Sequence, residues 1–372
     1  MSERRFSDEE LPGARIPERQ SSCQGSSEWR PGSNVAAEGP NAGWVEAALA
    51  DALGRDPGPL ELSVIEGGAS RETWLIQAGD ERWVLRRDPP GGESFNPLEL
   101  EWRVLGAAAA AGVAVAPLIL FEPPGGAFGT VGLVSGFVAG TSVAPRILRR
   151  DAFAAARARL PGELGEALAR VHSVKPALIQ GLPGGGERAV GGDHDPAIAA
   201  CELWERELDA VGEPLPAVEA GLRRLRLALP SPPPRLALVH GDFRLGNLII
   251  DEPGLAAVID WELAHAGDPA EDIAWLCIRS WRFGNDELPV AGLGELEALL
   301  GAYEKAGGLR PERERLRWWE AMGNVKWAVI CARQAHDHLT GRRPSAELAS
   351  LGRRICEPEW DLLELLFADG AG

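Results

Sequence analysis

Between Arg235 and Leu276 three short apolar runs, LALVH, NLIID and AAVID, are separated by polar turns. Each run is too short for a buried helix and reads as a strand. Asp242, Asn247 and Asp260 stand at or beside the ends of these strands, with Asn247 five residues and Asp260 eighteen residues after Asp242. Two acids and an amide gathered at neighbouring strand ends suit phosphoryl transfer. That chemistry needs a carboxylate to orient and deprotonate the accepting hydroxyl, oxygen ligands for Mg²⁺, and positive charge for the transferring group. Asp242 fits the first need and Asn247 with Asp260 the second, because hard cations prefer oxygen. Arg244, two residues beyond Asp242, fits the third. The plainer reading is that these are turn residues capping strand ends.

The rest of the chain frames this element asymmetrically. Residues 1–40 are rich in Ser, Gly, Pro, Arg and Glu with few large aliphatics, so they read as a disordered tail. A helix is expected near Trp44. LELSVIEGG, ETWLIQAG and ERWVLRRD then read as three strands joined by tight turns, Gly79-Asp80 being one. Pro97 to Ala111 reads as a helix with Pro at its start and Gly112 closing it. APLILFE and TVGLVSGFV follow as strands around Pro123-Pro124-Gly125-Gly126. Beyond Gly140 helical patterns dominate, interrupted by a glycine-rich segment, Gly181 to Gly192, that reads as a mobile loop. The expected class is α+β: a small N-terminal lobe (41–138) with an antiparallel sheet plus a helix, and a larger, mostly helical C-terminal lobe (139–372).

Composition narrows the function classes. The 372 residues carry a formal charge of −17, which disfavours binding to a phosphate backbone, and the arginine pairs are dispersed rather than gathered into a basic patch. Acidity of this kind suits a cationic substrate or simply solubility. The five cysteines have no CxxC or zinc-type spacing and read as reduced thiols of a cytoplasmic protein. MSERRFSDEELPGARIPERQ lacks the apolar centre of a signal peptide, and no apolar stretch is long enough to span a bilayer. The oligomeric state is not legible.

The run HGDFRLGN followed by IDWE resembles the catalytic and metal-binding loops of the aminoglycoside phosphotransferase family, itself similar to the protein-kinase HRDLKPEN…DFG pattern. Leu85-Arg86-Arg87, GDFRLGN, DWELAHAGDPAEDIAWL and LRWWEAMGNVKWAV make the chain most similar to the branch of kinase-like domains fused to acyl-CoA dehydrogenases. The resemblance implies a bilobal protein-kinase-like fold from about residue 42 onward. It implies ATP and Mg²⁺ as cofactors and a small-molecule hydroxyl acceptor. Asp242 corresponds to the catalytic Asp, Asn247 and Asp260 to the metal ligands. Arg86 stands where the fold usually carries a phosphate-holding strand lysine, with Glu101 as its ion-pair partner. Arg is not equivalent to Lys, so Arg87 is an alternative, and so is an ordinary surface pair. Gly67, Gly68 and Ser70 between the first two strands suit phosphate contact through backbone N–H groups or an ordinary hairpin turn. Adenine is expected against Val134 to Val138.

Several further residues have both a functional and a bland reading. Asp272 is expected to cap a helix and support the catalytic loop rather than to react, and Asp268 to be a turn residue. His172 reads as a packed core histidine. His336 and His338 do not share a helix face. Trp318, Trp319 and Trp327 read as core, or as the wall of an acceptor pocket. An amino-sugar acceptor would want carboxylates such as Glu320, Asp337, Asp361 and Glu364. A hydroxylated acyl acceptor would want a tryptophan-lined channel. Beside the kinase stands a different class, a catalytically inactive nucleotide-binding module, for which Arg86 is the argument. A protein kinase is disfavoured because DFG and APE signatures are missing.

Overall fold

The computed structural model describes residues 39–65, 71–88, 96–185 and 195–368. The expected tail up to residue 38, Gly67, Gly68 and Ser70, and most of the glycine-rich segment after residue 185 lie outside the described residues. Helix α1 (Ala42–Leu53) opens the described chain: the Asn41 side chain accepts from the Trp44 N–H and Gly54, at φ 67°, ends the helix. Strands β1 (Glu61–Val64), β2 (Glu72–Ala78) and β3 (Glu81–Arg87) follow, then helix α2 (Leu98–Ala110) and strands β4 (Leu118–Glu122) and β5 (Gly132–Gly136). They make one antiparallel sheet of order β1-β2-β3-β5-β4.

Strand alternation decides which β3 residue can reach the site. Trp83 and Leu85 are buried with Val45 and Leu49 of α1, Ile76, Phe128 and Val134. Arg87 shares their face, where Nε meets Glu72 at 2.6 Å and Nη1 meets the Phe128 carbonyl at 3.1 Å. Arg86 points the other way, to α2. The alternative that placed Arg87 in the phosphate role therefore fails on geometry.

Beyond β5 the chain becomes helical, with α3 (Ala144–Arg149), α4 (Ala154–Ser173), α5 (Pro196–Val211) and α6 (Pro216–Leu227). Helix α4 begins after a 3₁₀ turn at Asp151–Phe153 and runs through Pro161. The three expected short strands appear as β6 (Ala237–Val239), β7 (Leu248–Ile250) and β8 (Leu255–Val258), joined by β9 (His265–Gly267), which sequence reading did not anticipate. They pair as two ladders, β6 with β9 and β7 with β8. Helix α7 (Ala270–Cys277) follows directly, then α8 (Leu296–Lys305), α9 (Arg313–Leu339), α10 (Ala346–Gly352) and α11 (Cys356–Phe367). Helix α9 is the axis of this lobe, packing on α5, α6, α7, α10 and α11. Helix α8 crosses α4 so closely that a Cβ on Gly165 would lie 2.3 Å from the Leu299 carbonyl oxygen. Among the described residues no helix is long and apolar enough to cross a membrane. Cys201, Cys277 and Cys331 are buried free thiols, and Cys356 is exposed.

Candidate active site

The loop after β6 is shaped by its glycine. Gly241 has φ 80°, and a Cβ there would lie 2.4 Å from the Leu263 carbonyl oxygen, so a side chain is excluded on two counts. Asp272 in α7 holds this loop from below. Its Oδ2 accepts the His240 N–H at 2.8 Å and its Oδ1 the Gly241 N–H at 2.9 Å. Its third partner is His172 Nε2 at 3.2 Å, and His172 Nδ1 meets the Tyr303 hydroxyl at 2.9 Å. Burial opposes the charge of Asp272. The hydrogen bonds from His172 and from the His240 backbone N–H outweigh it and hold the carboxyl below the usual range. The helix-capping part of the expectation for Asp272 is instead met by Asp268, whose Oδ1 accepts from the Ala270 N–H at 2.9 Å. Asp268 is more than a turn residue: Trp319 Nε1 and Arg315 also bond to its buried carboxylate.

His240 is oriented by the loop itself. Its Nδ1 receives the Asp242 amide N–H at 3.1 Å, so Nε2 carries the proton and donates to the Ile259 carbonyl at 3.0 Å. The Asp242 carboxylate receives three donors. Asn247 Nδ2 lies 2.6 Å from Oδ2, Trp275 Nε1 lies 2.8 Å from Oδ1, and Arg244 Nε bridges the two at 3.0 and 3.2 Å. The Arg244 guanidinium also lies 4.9 Å from the centroid of the Trp281 ring. Lys326, buried on α9, donates to the Gly241 carbonyl and sits 4.5 Å from the centroid of the Trp275 ring.

Asp260 ends the turn after β8 with φ 65°, a left-handed conformation that a non-glycine residue adopts only under constraint. Its Oδ1 accepts from Arg86 Nη2 at 3.0 Å. Arg86 Nη1 pairs with Glu101 Oε1, and Glu101 Oε2 pairs with Arg71 Nη1. Arg71 also reaches Asp88 at 2.9 Å and the Asn96 carbonyl. Burial opposes the charge on Arg86, but Glu101, Asp260 and Glu262 outweigh it and raise its pKa above the ordinary value. The geometry thus brings together Asp242, Arg244 and Asn247 on one side and Arg86, Glu101 and Asp260 on the other.

Sequence reading missed Arg71, Trp275 and Lys326. Two of them left a signal. Trp275 lies three residues after Asp272 and so on the same helix face. Lys326 is a lone lysine inside the apolar run NVKWAVICA.

Two adjoining clefts open on the C-terminal lobe beside Trp281 rather than over Asp260. One, of about 540 Å³, is lined by Arg279, Ser280, Phe283 and Trp360 among others. The other, of about 440 Å³, is lined by Arg282, Glu320, Asn324 and Glu364, and Asp361 lines both. Burial raises the pKa of Glu320 and of Asp361 against the pull of their arginines. Three of the four expected acceptor-side acids meet here. Asp337 does not line either cleft and pairs with Arg342 at the end of α9. Trp318, Trp319 and Trp327 are buried and line neither of these two clefts.

A sequence profile of the phosphotransferase enzyme family matches residues 61–319. Mouse acyl-CoA dehydrogenase family member 10 is 28% identical over 341 residues, covering 85% of this chain and 30% of that protein. Human acyl-CoA dehydrogenase family member 11 is 26% identical over 317 residues, covering 80% and 39%. The chain therefore spans well under half the length of the curated relatives it matches. Among solved structures, a Ralstonia eutropha protein provisionally assigned as an aminoglycoside phosphotransferase has a TM-score of 0.65 at 22% identity, covering 87% of this chain and 98% of that one. An aminoglycoside phosphotransferase in ternary complex with AMP-PNP and hygromycin B has a TM-score of 0.55 at 17% identity, covering 88% and 99%. A choline/ethanolamine kinase family protein from Mesorhizobium loti has a TM-score of 0.55 at 23% identity, covering 86% and 94%. These structures share the bilobal, protein-kinase-like α+β fold. With the profile covering most of the chain, the protein belongs to the phosphotransferase enzyme family.

Proposed function

We propose that this protein is an ATP-dependent small-molecule kinase that moves the γ-phosphate to a hydroxyl, with lobes at 41–138 and 139–372. The observation that carries the reading is the convergence of Asp242, Asn247 and Asp260 beside Arg86. Asp242 orients the acceptor hydroxyl and takes its proton. Arg244 binds Asp242 through Nε, and its Nη nitrogens are the groups that meet the transferring phosphoryl. Arg86, set by Glu101, holds the nucleotide phosphates in place of the usual lysine, and Gly67, Gly68 and Ser70 complete the phosphate contact.

The donor set fits Mg²⁺. Asn247 spends its amide N–H groups on Asp242, which turns its carbonyl oxygen to other uses, and the Asp260 carboxylate is partly exposed. Among the described residues no group of three His, Cys, Asp or Glu could hold a metal. Two oxygen ligands completed by substrate phosphates is how Mg²⁺ is commonly held. When bound there, Mg²⁺ would neutralise charge developing on the phosphoryl oxygens. Positioning and electrostatics would then supply most of the rate.

The acceptor is assigned to the side of the site facing the clefts near Trp281, whose ring lies 4.9 Å from the Arg244 guanidinium that bonds Asp242. Of the five buried side-chain polar atoms without a hydrogen-bond partner among the described residues, Ser280 Oγ and Asn324 Oδ1 belong to residues that line these clefts, and Trp281 Nε1 and Trp327 Nε1 belong to two rings packed on each other 4.7 Å apart. Mixed arginines and carboxylates favour a polar acceptor over a bare hydrocarbon chain, and both an amino sugar and a hydroxylated acyl-CoA qualify. The second reading, an inactive nucleotide-binding module, draws support from the Arg86–Asp260 pair, which occupies the carboxylate meant for metal. An ADP-release assay with MgATP across aminoglycosides and hydroxylated acyl-CoAs separates the two. Acceptor-stimulated turnover that Asp242→Asn reduces at least a thousandfold is expected. MgATP binding without turnover on any acceptor favours the module.

A further inference from the structure

Each of the three donors on the Asp242 carboxylate would have a different fate during the proposed reaction. Asn247 is also assigned to the metal and Arg244 to the transferring phosphoryl. Trp275 has no second task. Its indole N–H lies 2.8 Å from Asp242 Oδ1, and its side chain is buried. Trp281 packs edge-on against its ring at 5.2 Å and the Lys326 ammonium lies 4.5 Å from the ring centroid. An indole wedged in this way cannot change rotamer without disturbing the core.

The geometry points to Trp275 as a positioning residue that fixes the orientation of the Asp242 carboxylate, with Lys326 holding the ring from beneath. The inference rests on the kinase reading above and deepens it. An aspartate carboxylate rotates in a broad torsional well, so one fixed donor on Oδ1 defines which lone pair of Oδ2 faces an incoming hydroxyl. Helix α7 therefore grips the loop twice from one face. Asp272 takes the backbone N–H groups of His240 and Gly241, and Trp275 takes the side chain of Asp242. Lys326 closes the arrangement. It donates to the Gly241 carbonyl and lies 3.7 Å from Glu271, so its charge is compensated while it faces the ring. A cation over the ring face draws electron density from the indole and strengthens the N–H as a donor. A buried tryptophan N–H needs some partner in any fold. A purely structural role would be met equally well by a backbone carbonyl, and here the partner is the side chain proposed to act on the acceptor.

Trp275→Phe removes the N–H and keeps most of the ring. In the full chain, kcat is expected to fall at least tenfold, with KM for MgATP within twofold and the melting temperature within a few degrees. In an Asp242→Asn background the same change should lower the residual rate no further, because the two residues act as one unit. Wild-type kcat in Trp275→Phe overturns the inference, and so does an equal fold-loss in both backgrounds. A readout free of turnover uses ¹⁵N-labelled protein, in which a hydrogen-bonded indole N–H resonance, assigned to Trp275 by its loss in Trp275→Phe, moves upfield in Asp242→Ala, where no acceptor oxygen is left. Should Trp275→Phe not fold, the resonance is assigned by its through-space contacts to the Trp281 ring protons, and the Asp242→Ala spectrum still decides, since no shifted indole signal means no bond. If wild type turns over no acceptor, the kinase reading fails, and the resonance still tests the contact.

Discussion

The two sides of the site are held by different kinds of interaction. On the N-terminal side, Glu101 is shared between Arg71 and Arg86, one carboxylate oxygen each, and Arg86 passes on to Asp260. Asp260 and Asp88, at the edges of this network, keep 33% and 24% of their side-chain surface exposed. On the C-terminal side, Asp272 is fully buried and spends its carboxylate on two backbone N–H groups and His172. The edge pairs Arg86–Asp260 and Arg71–Asp88, each with one partly exposed partner, can exchange partners at small cost, around a buried Arg71–Glu101 pair that stays in place. Bonds from a buried carboxylate to backbone amides cannot, because each freed amide would be stranded away from water. The N-terminal network is thus suited to re-pairing when a charged ligand arrives, and the C-terminal one to holding the loop still.

Removing the fixed part should cost the most. Asp272→Ala strands two buried amides and His172, and a loss of roughly 3–5 kcal/mol of stability is expected, the range for breaking a buried charged network from one side. Chemical denaturation measures it, and an unchanged midpoint would erase the contrast between the two sides. Next comes Asp260→Gly, which relieves the left-handed backbone while removing the carboxylate. Its melting temperature should match or exceed that of wild type, and MgATP affinity by calorimetry should fall about 30-fold (about 2 kcal/mol). Unchanged affinity would remove Asp260 from the metal role. Arg71→Lys keeps the charge but loses the planar fork that reaches Glu101, Asp88 and the Asn96 carbonyl together. KM for MgATP should rise about tenfold (about 1.4 kcal/mol) with kcat nearly unchanged. A fall in kcat instead would tie Arg71 to the loop of Asp242 and blur the comparison.

The sequence made these two sides legible to different degrees. Asp242, Arg244 and Asn247 lie within six residues, so their arrangement is a property of one loop and can be read locally. The strand pattern around them was equally plain, since the β2–β3 hairpin and helix α2 follow alternation and helical spacing. What stayed hidden depends on distant contact. Arg71 meets Glu101 thirty residues on, Trp275 meets Asp242 thirty-three residues back, and Lys326 meets Gly241 across eighty-five. Strand β9 was missed because three residues, His265 to Gly267, carry no alternation to read. His172 was read as packed core. It is buried, but it also bonds Asp272 and Tyr303, a role that only the fold could assign.

The smallest expected effect tests whether the fixed side contains an adjustable charge. His265 lies beside α7, with Nε2 3.1 Å from Glu271 and Nδ1 2.9 Å from the Leu263 carbonyl. Burial and Lys326 oppose its protonation, and the charge and hydrogen bond of Glu271 outweigh them, so its pKa is raised above the ordinary 6.5. A raised folded pKa means that the protonated pair stabilises the fold fully below 6.5 and that this contribution fades as pH rises through the folded value. Glu271 is shifted downward from 4.5, so it stays ionised throughout that window and adds no slope of its own. His265→Gln should therefore melt below wild type at pH 6, by less than about 1 kcal/mol because the imidazole is partly exposed. The gap should close as pH rises past the folded pKa, which lies above the ordinary histidine value. A gap that stayed constant with pH would mean that His265 contributes by packing alone. Glu271 and Asp272 beneath the Asp242 loop, both held below the ordinary carboxylate range, would then be fixed in charge across the physiological range, as rigid electrostatically as they are in their hydrogen bonds.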